Sequence, residues 1–177
     1  MHYPKGYEWL ANVGTLPRTI QEGLALVGTI EKAGPASNPV IMSWAKELGL
    51  ASTYSDDAVP WCGLFAAFVA KRAGKDVVGG PLWARNWAKF GIAPPAAGLG
   101  DVLVFQRSGG GGHVGFYVAE DGHAFHVLGG NQSDAVTIAR IAKARCIAFR
   151  RPIYREQPKS VKAYRVAAGG ALSVNEA

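Results

Sequence analysis

Apolar residues recur along the first half of the chain at the three-to-four spacing of helices, and along the second half in the short runs and alternation of strands. Residues 1–19 break scattered aromatics with Pro4, Gly6, Gly14 and Pro17 and read as an irregular arm laid on the core. A first helix is predicted over 20–30, striped by Leu24 and Val27 with Ala25 and Leu26 beside them, and Gly34-Pro35 ends whatever follows Glu31. Ser37-Asn38-Pro39 opens a second helix over 40–48, closed by Gly49. Asp56, Asp57 and Pro60 mark a turn into a third, where Leu64, Phe65, Phe68 and Val69 fall at helical spacing, Lys71 and Arg72 occupy the last turn and Gly74 is the C′ residue. Trp83, Trp87 and Phe90 give a fourth over 81–90, both tryptophans being expected in the core.

After Pro94-Pro95 the period changes. Asp101-Val102-Leu103-Val104-Phe105 reads as a buried strand and residues 109–112 as a flexible glycine loop. Residues 114–119 and 124–128, joined by Glu120-Asp121-Gly122, make a hairpin, and two further strands are predicted over 136–139 and 146–150. Helices followed by antiparallel strands indicate an α+β fold with the helices packed on the sheet. Beyond Pro152 the pattern is lost. The predicted organisation is an arm over 1–19, one catalytic domain over 20–154 and a tail over 155–177, loose from Gly169-Gly170 onward.

A chain of 177 residues, 49% of them hydrophobic, can bury one sizeable core and not comfortably two. Its net charge of +6 attracts anionic polymers, cell walls as well as nucleic acids. No dense Lys/Arg run interleaved with aromatics supports specific nucleic-acid binding; the nearest, Arg150-Arg151, ends a strand. The first ten residues lack a basic segment followed by an apolar one, and no apolar run reaches membrane-spanning length. The expectation is a chain made in the cytoplasm without membrane insertion, carried to any substrate that lies outside.

The candidate chemistry centres on Cys62. It stands in Pro60-Trp61-Cys62-Gly63, where a polar turn becomes an apolar helix, so its sulfur meets the positive end of a helix dipole, which favours thiolate over thiol. The second cysteine, Cys146, sits in a strand and reads as buried; counting alone does not exclude a disulfide between them. His113, between the glycine loop and a strand, is placed to take the thiol proton and return it to a leaving amine. A third polar group must orient the imidazole, and two candidates stand downstream: Asn131, favoured because its carbonyl can accept from the ring N–H and its flanking glycines free the backbone, and His126, on the second hairpin strand. Read singly, each of these residues has a bland explanation: a small core thiol, a strand cap, a turn asparagine.

In order along the chain, Asp57-x-x-Pro60-Trp61-Cys62, Gly100-Asp101 before a strand, Gly112-His113-Val114-Gly115-Phe116-Tyr117 and Gly129-Gly130-Asn131-Gln132-Ser133-Asp134-Ala135-Val136 resemble the NlpC/CHAP superfamily of cell-wall hydrolases. The likeness spans residues 20–152 and is closest to a small branch of phage lysis and secreted bacterial proteins, in which a segment similar to Glu31-x-x-Gly34-x-x-Ser37-Asn38-Pro39 precedes the cysteine. The resemblance implies a papain-like fold hydrolysing amide bonds in peptidoglycan peptides, with Cys62 as nucleophile and His113 as base. NlpC members carry a histidine in the third position, which favours His126; CHAP members often carry an acidic residue or asparagine, which favours Asn131. It also implies an oxyanion site formed by the Cys62 backbone N–H and a second donor, Tyr54 or Trp61 being nearest, and a cleft lined by Glu31, Asn38, Asp57 and Trp83.

His123-x-x-His126 places its two imidazoles on opposite faces of a strand, Asp56 and Asp57 are adjacent rather than alternating as calcium ligands are, and no cofactor is expected. The function expected is that of a peptidoglycan amidase or endopeptidase of phage-endolysin or antibacterial-effector type, delivered by a holin, a phage tail or secretion machinery and countered by an immunity protein. Two alternatives stand beside it: a catalytically silent wall-binding or phage structural protein of the same fold, and a papain-like acyltransferase.

Overall fold

The computed structural model describes residues 3–34, 36–107 and 109–175. Among the described residues three α-helices precede five strands: α1 (Arg18–Leu24), α2 (Pro39–Glu47), α3 (Cys62–Arg72), β1 (Val102–Gln106), β2 (Gly112–Glu120), β3 (Ala124–Gly129), β4 (Thr137–Ala142) and β5 (Cys146–Arg150). The strands form a single sheet in the order β4-β3-β2-β1-β5, each neighbouring pair antiparallel. This is an α+β architecture with its helices ahead of its strands. Among the described residues no helix is long and apolar enough to cross a membrane.

α3 is the central helix. Every residue from Cys62 to Ala70 is buried, because α1 and α2 cover one side of it and β2 the other. Trp44 of α2 stacks on Phe68 at 5.3 Å between ring centroids, and Phe65 meets Phe116 of β2 edge-on at 6.2 Å. Burying each such ring contributes about 1.5–3 kcal/mol. The helix stops where Gly74, at φ +69°, turns left-handed: its N–H reaches the Lys71 carbonyl at 3.0 Å and the Lys75 N–H reaches the Ala70 carbonyl at 2.9 Å, closing a Schellman pair. α2 begins at an Asn38 cap, whose Oδ1 accepts from the Val40 N–H at 2.8 Å, with Pro39 following it.

Alternation divides the sheet residues between two faces. Val102, Val104, Val114, Phe116 and Val118 belong to the cluster shared with the helices, whereas Leu103, Phe105, Tyr117, Val127 and Ile141 form a smaller second cluster. Asp101, fully buried before β1, takes a two-pronged ion pair from Arg151 at 3.0 and 2.8 Å and so ties the start of β1 to the residues after β5.

Five local expectations are corrected. The first helix ends at Leu24, because at Gly28 (φ +89°) the chain turns away to pair with residues 134–136: the Gly28 N–H donates to the Val136 carbonyl and Ile30 bridges Ala135. The predicted helix over 81–90 is a shorter 3-10 helix, Ala84–Lys89. Trp83 sits ahead of it on extended backbone, off the buried stripe, and is 72% exposed while Trp87 is fully buried. Cys146 is half-buried and, like Cys62, carries no disulfide. The described residues after Pro152 form no helix or strand yet dock on the domain: Val161 is buried, the Glu120 N–H donates to the Tyr164 carbonyl and the Ser133 N–H to the Asn175 carbonyl. The expected break at Gly34-Pro35 involves Pro35, and the arm and tail include residues 1, 2, 176 and 177; these lie outside the described residues, as does Ser108 beside the glycine loop.

Candidate active site

Cys62 is the first residue of α3 and is 3% exposed. It opens onto a cleft of about 330 Å³ lined by Val59, Pro60, Leu82, Trp83, Ala84, Arg107, Gly111 and Gly112. A larger depression of about 570 Å³ lies between residues 13–15 and 156–160, and none of the described residues lining it carries a thiol or imidazole. The sulfur accepts from the backbone N–H groups of Val114, Gly63 and Cys62 itself. Burial nonetheless pushes the thiol above its ordinary range, against the pull of these amides and of the nearby Arg107 charge. Burial thus opposes the thiolate that a helix terminus favours, and the sulfur needs a base.

His113 lies inside β2 rather than ahead of it, since the ladder with β1 already starts at Gly112 opposite Gln106. Its ring is fully buried and rests 6.3 Å from that of Phe105, its partner across the ladder. Pairing of β2 with β3 begins only at Phe116, and ahead of that point the amide of Val114, next to His113, reaches the Cys62 sulfur. The backbone next to the base thus lies against the sulfur.

The hydrogen bond to Nε2 of His113 comes from Gln132, whose Oε1 lies 3.1 Å away. This carboxamide has only one sensible orientation. Its nitrogen faces three acceptors, the Thr137 carbonyl at 2.7 Å, the Val127 carbonyl at 3.1 Å and the Thr137 hydroxyl at 3.3 Å, so the oxygen must be the atom turned to the ring. Nε2 therefore carries the proton, and in the neutral ring Nδ1 carries the lone pair. The orienting place expected for Asn131 is held by its neighbour Gln132. Asn131 is a buried turn residue at φ +56°, followed by Ser133 and Asp134 at +52° and +60°. Such a left-handed stretch without glycine is costly and occurs where the surroundings over-determine it.

What imposes that turn is contact with the start of α3. A Cβ on Gly130 would lie 2.6 Å from both Phe65 and the Trp61 ring, and one on Gly129 would lie 2.6 Å from Oε1 of Gln132 and 3.2 Å from Nε2 of His113. Only bare backbone fits between helix, glutamine and imidazole. Glu31 completes the clamp, its N–H donating to the Asp134 carbonyl at 2.7 Å and its carboxylate accepting from the Trp61 indole at 3.0 Å.

His126 belongs to another network. It pairs with Ala119, roughly 20 Å along the strand from His113 at about 3.3 Å per residue. Its Nε2 donates to Asp121 at 2.9 Å and its Nδ1 accepts from the Tyr7 hydroxyl at 2.6 Å. Arg140, with the His123 amide, His126 and the Ala124 amide, holds the Asp121 carboxyl well below the usual carboxylate range, while burial raises the Tyr7 hydroxyl to about 12. This network fastens the arm to the sheet.

Of the residues expected to line the cleft, Trp83 does so. Glu31, Asn38 and Asp57 do not. Asp57 is buried and accepts from the Asn38 N–H at 2.7 Å and the Lys32 N–H at 3.1 Å, pinning the loop after α1 to the approach to Cys62. Asn38 caps α2 and donates to the Ile30 carbonyl at 2.7 Å. The expected oxyanion donors are committed elsewhere as well, the Tyr54 hydroxyl to the Val59 carbonyl at 3.0 Å and the Trp61 indole to Glu31. Sequence reasoning missed the contact of Gln132 with His113 and the place of Arg107 in the cleft; the signal for the first was its position beside Asn131 in the glycine motif, and for the second there was none. In comparison with known proteins, no family model matches the chain, and no curated protein matches it either.

Proposed function

We propose that this chain is a cysteine hydrolase of amide bonds in peptidoglycan peptides, with a papain-like arrangement of the kind found in NlpC/CHAP hydrolases and a role of endolysin or antibacterial-effector type. One observation carries the reading: Gln132, held by the carbonyls of Thr137 and Val127, fixes His113 in the tautomer whose Nδ1 is basic, on the strand segment whose next amide touches the Cys62 sulfur.

In the mechanism, Nδ1 takes the Cys62 proton as the sulfur attacks the substrate carbonyl. Two charges form: an oxyanion, to which the Cys62 amide can donate, and an imidazolium, whose Nε2–H bond to Gln132 strengthens as it becomes charge-assisted. The imidazolium then protonates the leaving amine, the C–N bond breaks and a thioester is left on Cys62. A water molecule, deprotonated by the same Nδ1, hydrolyses it to the free acid. The basic surface favours the anionic wall as substrate.

The test is digestion of purified murein sacculi by the wild type, Cys62→Ala and His113→Ala. Release of soluble fragments by the wild type alone supports the proposal, and mass analysis of those fragments distinguishes an amidase from an endopeptidase. Equal release by wild type and Cys62→Ala refutes it. The near-complete burial of Cys62 and its raised thiol pKa favour a second reading, a silent wall-binding protein. Under that reading both proteins sediment with sacculi and neither solubilises them.

A further inference from the structure

Arg107 is the only charged side chain among the described residues that line the cleft. Its backbone is fixed by the β1–β2 turn, with its N–H on the Gly111 carbonyl at 3.1 Å and its own carbonyl accepting from Gly110 at 3.3 Å. Its guanidinium differs from those of its neighbours. Arg85 donates to the Gly111 carbonyl, Arg140 to Asp121 and Arg151 to Asp101, whereas no acceptor among the described residues takes a hydrogen bond from the Arg107 side chain. The side chains that line the cleft with it are mostly apolar, among them Leu82, the half-exposed Val59 and Trp83. A planar fork of donors in a cleft otherwise lined by apolar side chains, with no acid among the described lining residues, suits a carboxylate on a short aliphatic stem. Arg107 and Cys62 line the same cleft, and the Arg107 charge acts on the sulfur, so a carboxylate held by Arg107 shares the cleft with the reacting carbonyl.

We infer that Arg107 sets the substrate specificity of this site by pairing with a free carboxylate next to the scissile amide, while Trp83 covers that residue's stem. The inference rests on the hydrolase reading and names its substrate class: stem peptides whose isoglutamyl α-carboxyl is ionised rather than amidated. Amidation keeps the shape and removes the charge, leaving a desolvated guanidinium without its ionic partner.

The experiment uses two synthetic stem peptides that differ only in that carboxylate or carboxamide, with the wild type, Arg107→Gln and Arg107→Lys. The expected wild-type preference for the carboxylate is about 10- to 100-fold in kcat/KM, carried mainly by KM. Arg107→Gln brings the ratio to about 1, and Arg107→Lys falls between. Loss of the Arg107 charge also weakens the thiolate, but this slows both peptides equally and leaves the ratio untouched. A wild-type ratio within twofold of unity, or a ratio preserved in Arg107→Gln, overturns the assignment. Calorimetric binding of both peptides to Cys62→Ala and to Cys62→Ala/Arg107→Gln gives the same ratio without turnover. If the wild type cleaves neither peptide, the hydrolase reading fails while the binding ratio still decides the role of Arg107.

Discussion

Replacing Gln132 by alanine removes the Oε1 contact to His113 and three donor contacts to Thr137 and Val127 in one step. In the resting enzyme the ring contact is a neutral hydrogen bond, but in the transition state it holds an imidazolium, where such bonds contribute about 1.5–3 kcal/mol. At about 1.4 kcal/mol per factor of ten, kcat/KM should fall about 10- to 150-fold, with KM little changed. The buried carbonyls of Val127 and Thr137 lose their donor, which costs about 1–3 kcal/mol of stability. Gln132→Glu separates the two effects. It keeps the shape but turns a second oxygen toward carbonyls at 2.7 and 3.1 Å, so the carboxyl is favoured in its protonated, donating form and its pKa rises above about 4.3. A raised folded-state pKa gives stability that is present below the unfolded value and lost as pH rises, so Gln132→Glu should approach the wild-type melting temperature near pH 4 and fall away toward pH 7. The assays are muropeptide kinetics and thermal melts across pH, beside Asn131→Ala and His126→Ala. If Gln132→Ala stays within twofold of the wild type while Asn131→Ala collapses, the orienting residue is Asn131 and the tautomer argument is wrong.

Because burial raises the Cys62 thiol, its alkylation by iodoacetamide should be slow at pH 7 and still rising above pH ~9, beyond an ordinary cysteine; a rate already level between pH 6 and 7 would reveal a preformed thiolate–imidazolium pair. Gly129→Ala drives a methyl group to within 2.6 Å of Gln132 Oε1, and it should abolish turnover while the far-UV circular dichroism stays that of the wild type; unimpaired turnover would show that the pair tolerates displacement. The Asp121 carboxyl is held low by Arg140 first and by its other donors, so its contribution is present above about pH 4 and lost as pH falls. Asp121→Asn should therefore flatten the acid limb of melting temperature against pH without altering kcat/KM, and an unchanged limb would remove Asp121 from that role. His126→Ala should lower the melting temperature and leave kcat/KM within twofold, since its partners are Tyr7 and Asp121 rather than His113.

The periodicity of α3 and of the five strands was legible because each is decided locally: helical spacing from Leu64 to Val69 with a glycine stop at Gly74, and apolar runs punctuated by turn residues. Where local preference competed with long-range pairing it lost. Residues after Leu24 have helical periodicity but leave the helix to pair with residues 134–136, and the unpatterned segment past Pro152 docks through backbone hydrogen bonds that no side-chain pattern announces. Trp83 was indistinguishable in sequence from the buried Trp87, because its exposure follows from extended backbone one residue ahead of a 3-10 helix.

By itself the sequence determined which chemistry was available: a thiol at a helix start, an imidazole at a strand start and a glycine-flanked amide pair between later strands. Only the tertiary structure decided which carboxamide meets the ring, because a shift of one residue in the left-handed turn 131–134 exchanges Asn131 for Gln132, and that turn is set by the contact of Gly130 with Trp61 and Phe65. It decided the thiol's resting state as well. A helix terminus favours the thiolate from any sequence of this kind, but how much water the sulfur keeps depends on the walls that close around it, and at Cys62 they leave it almost none.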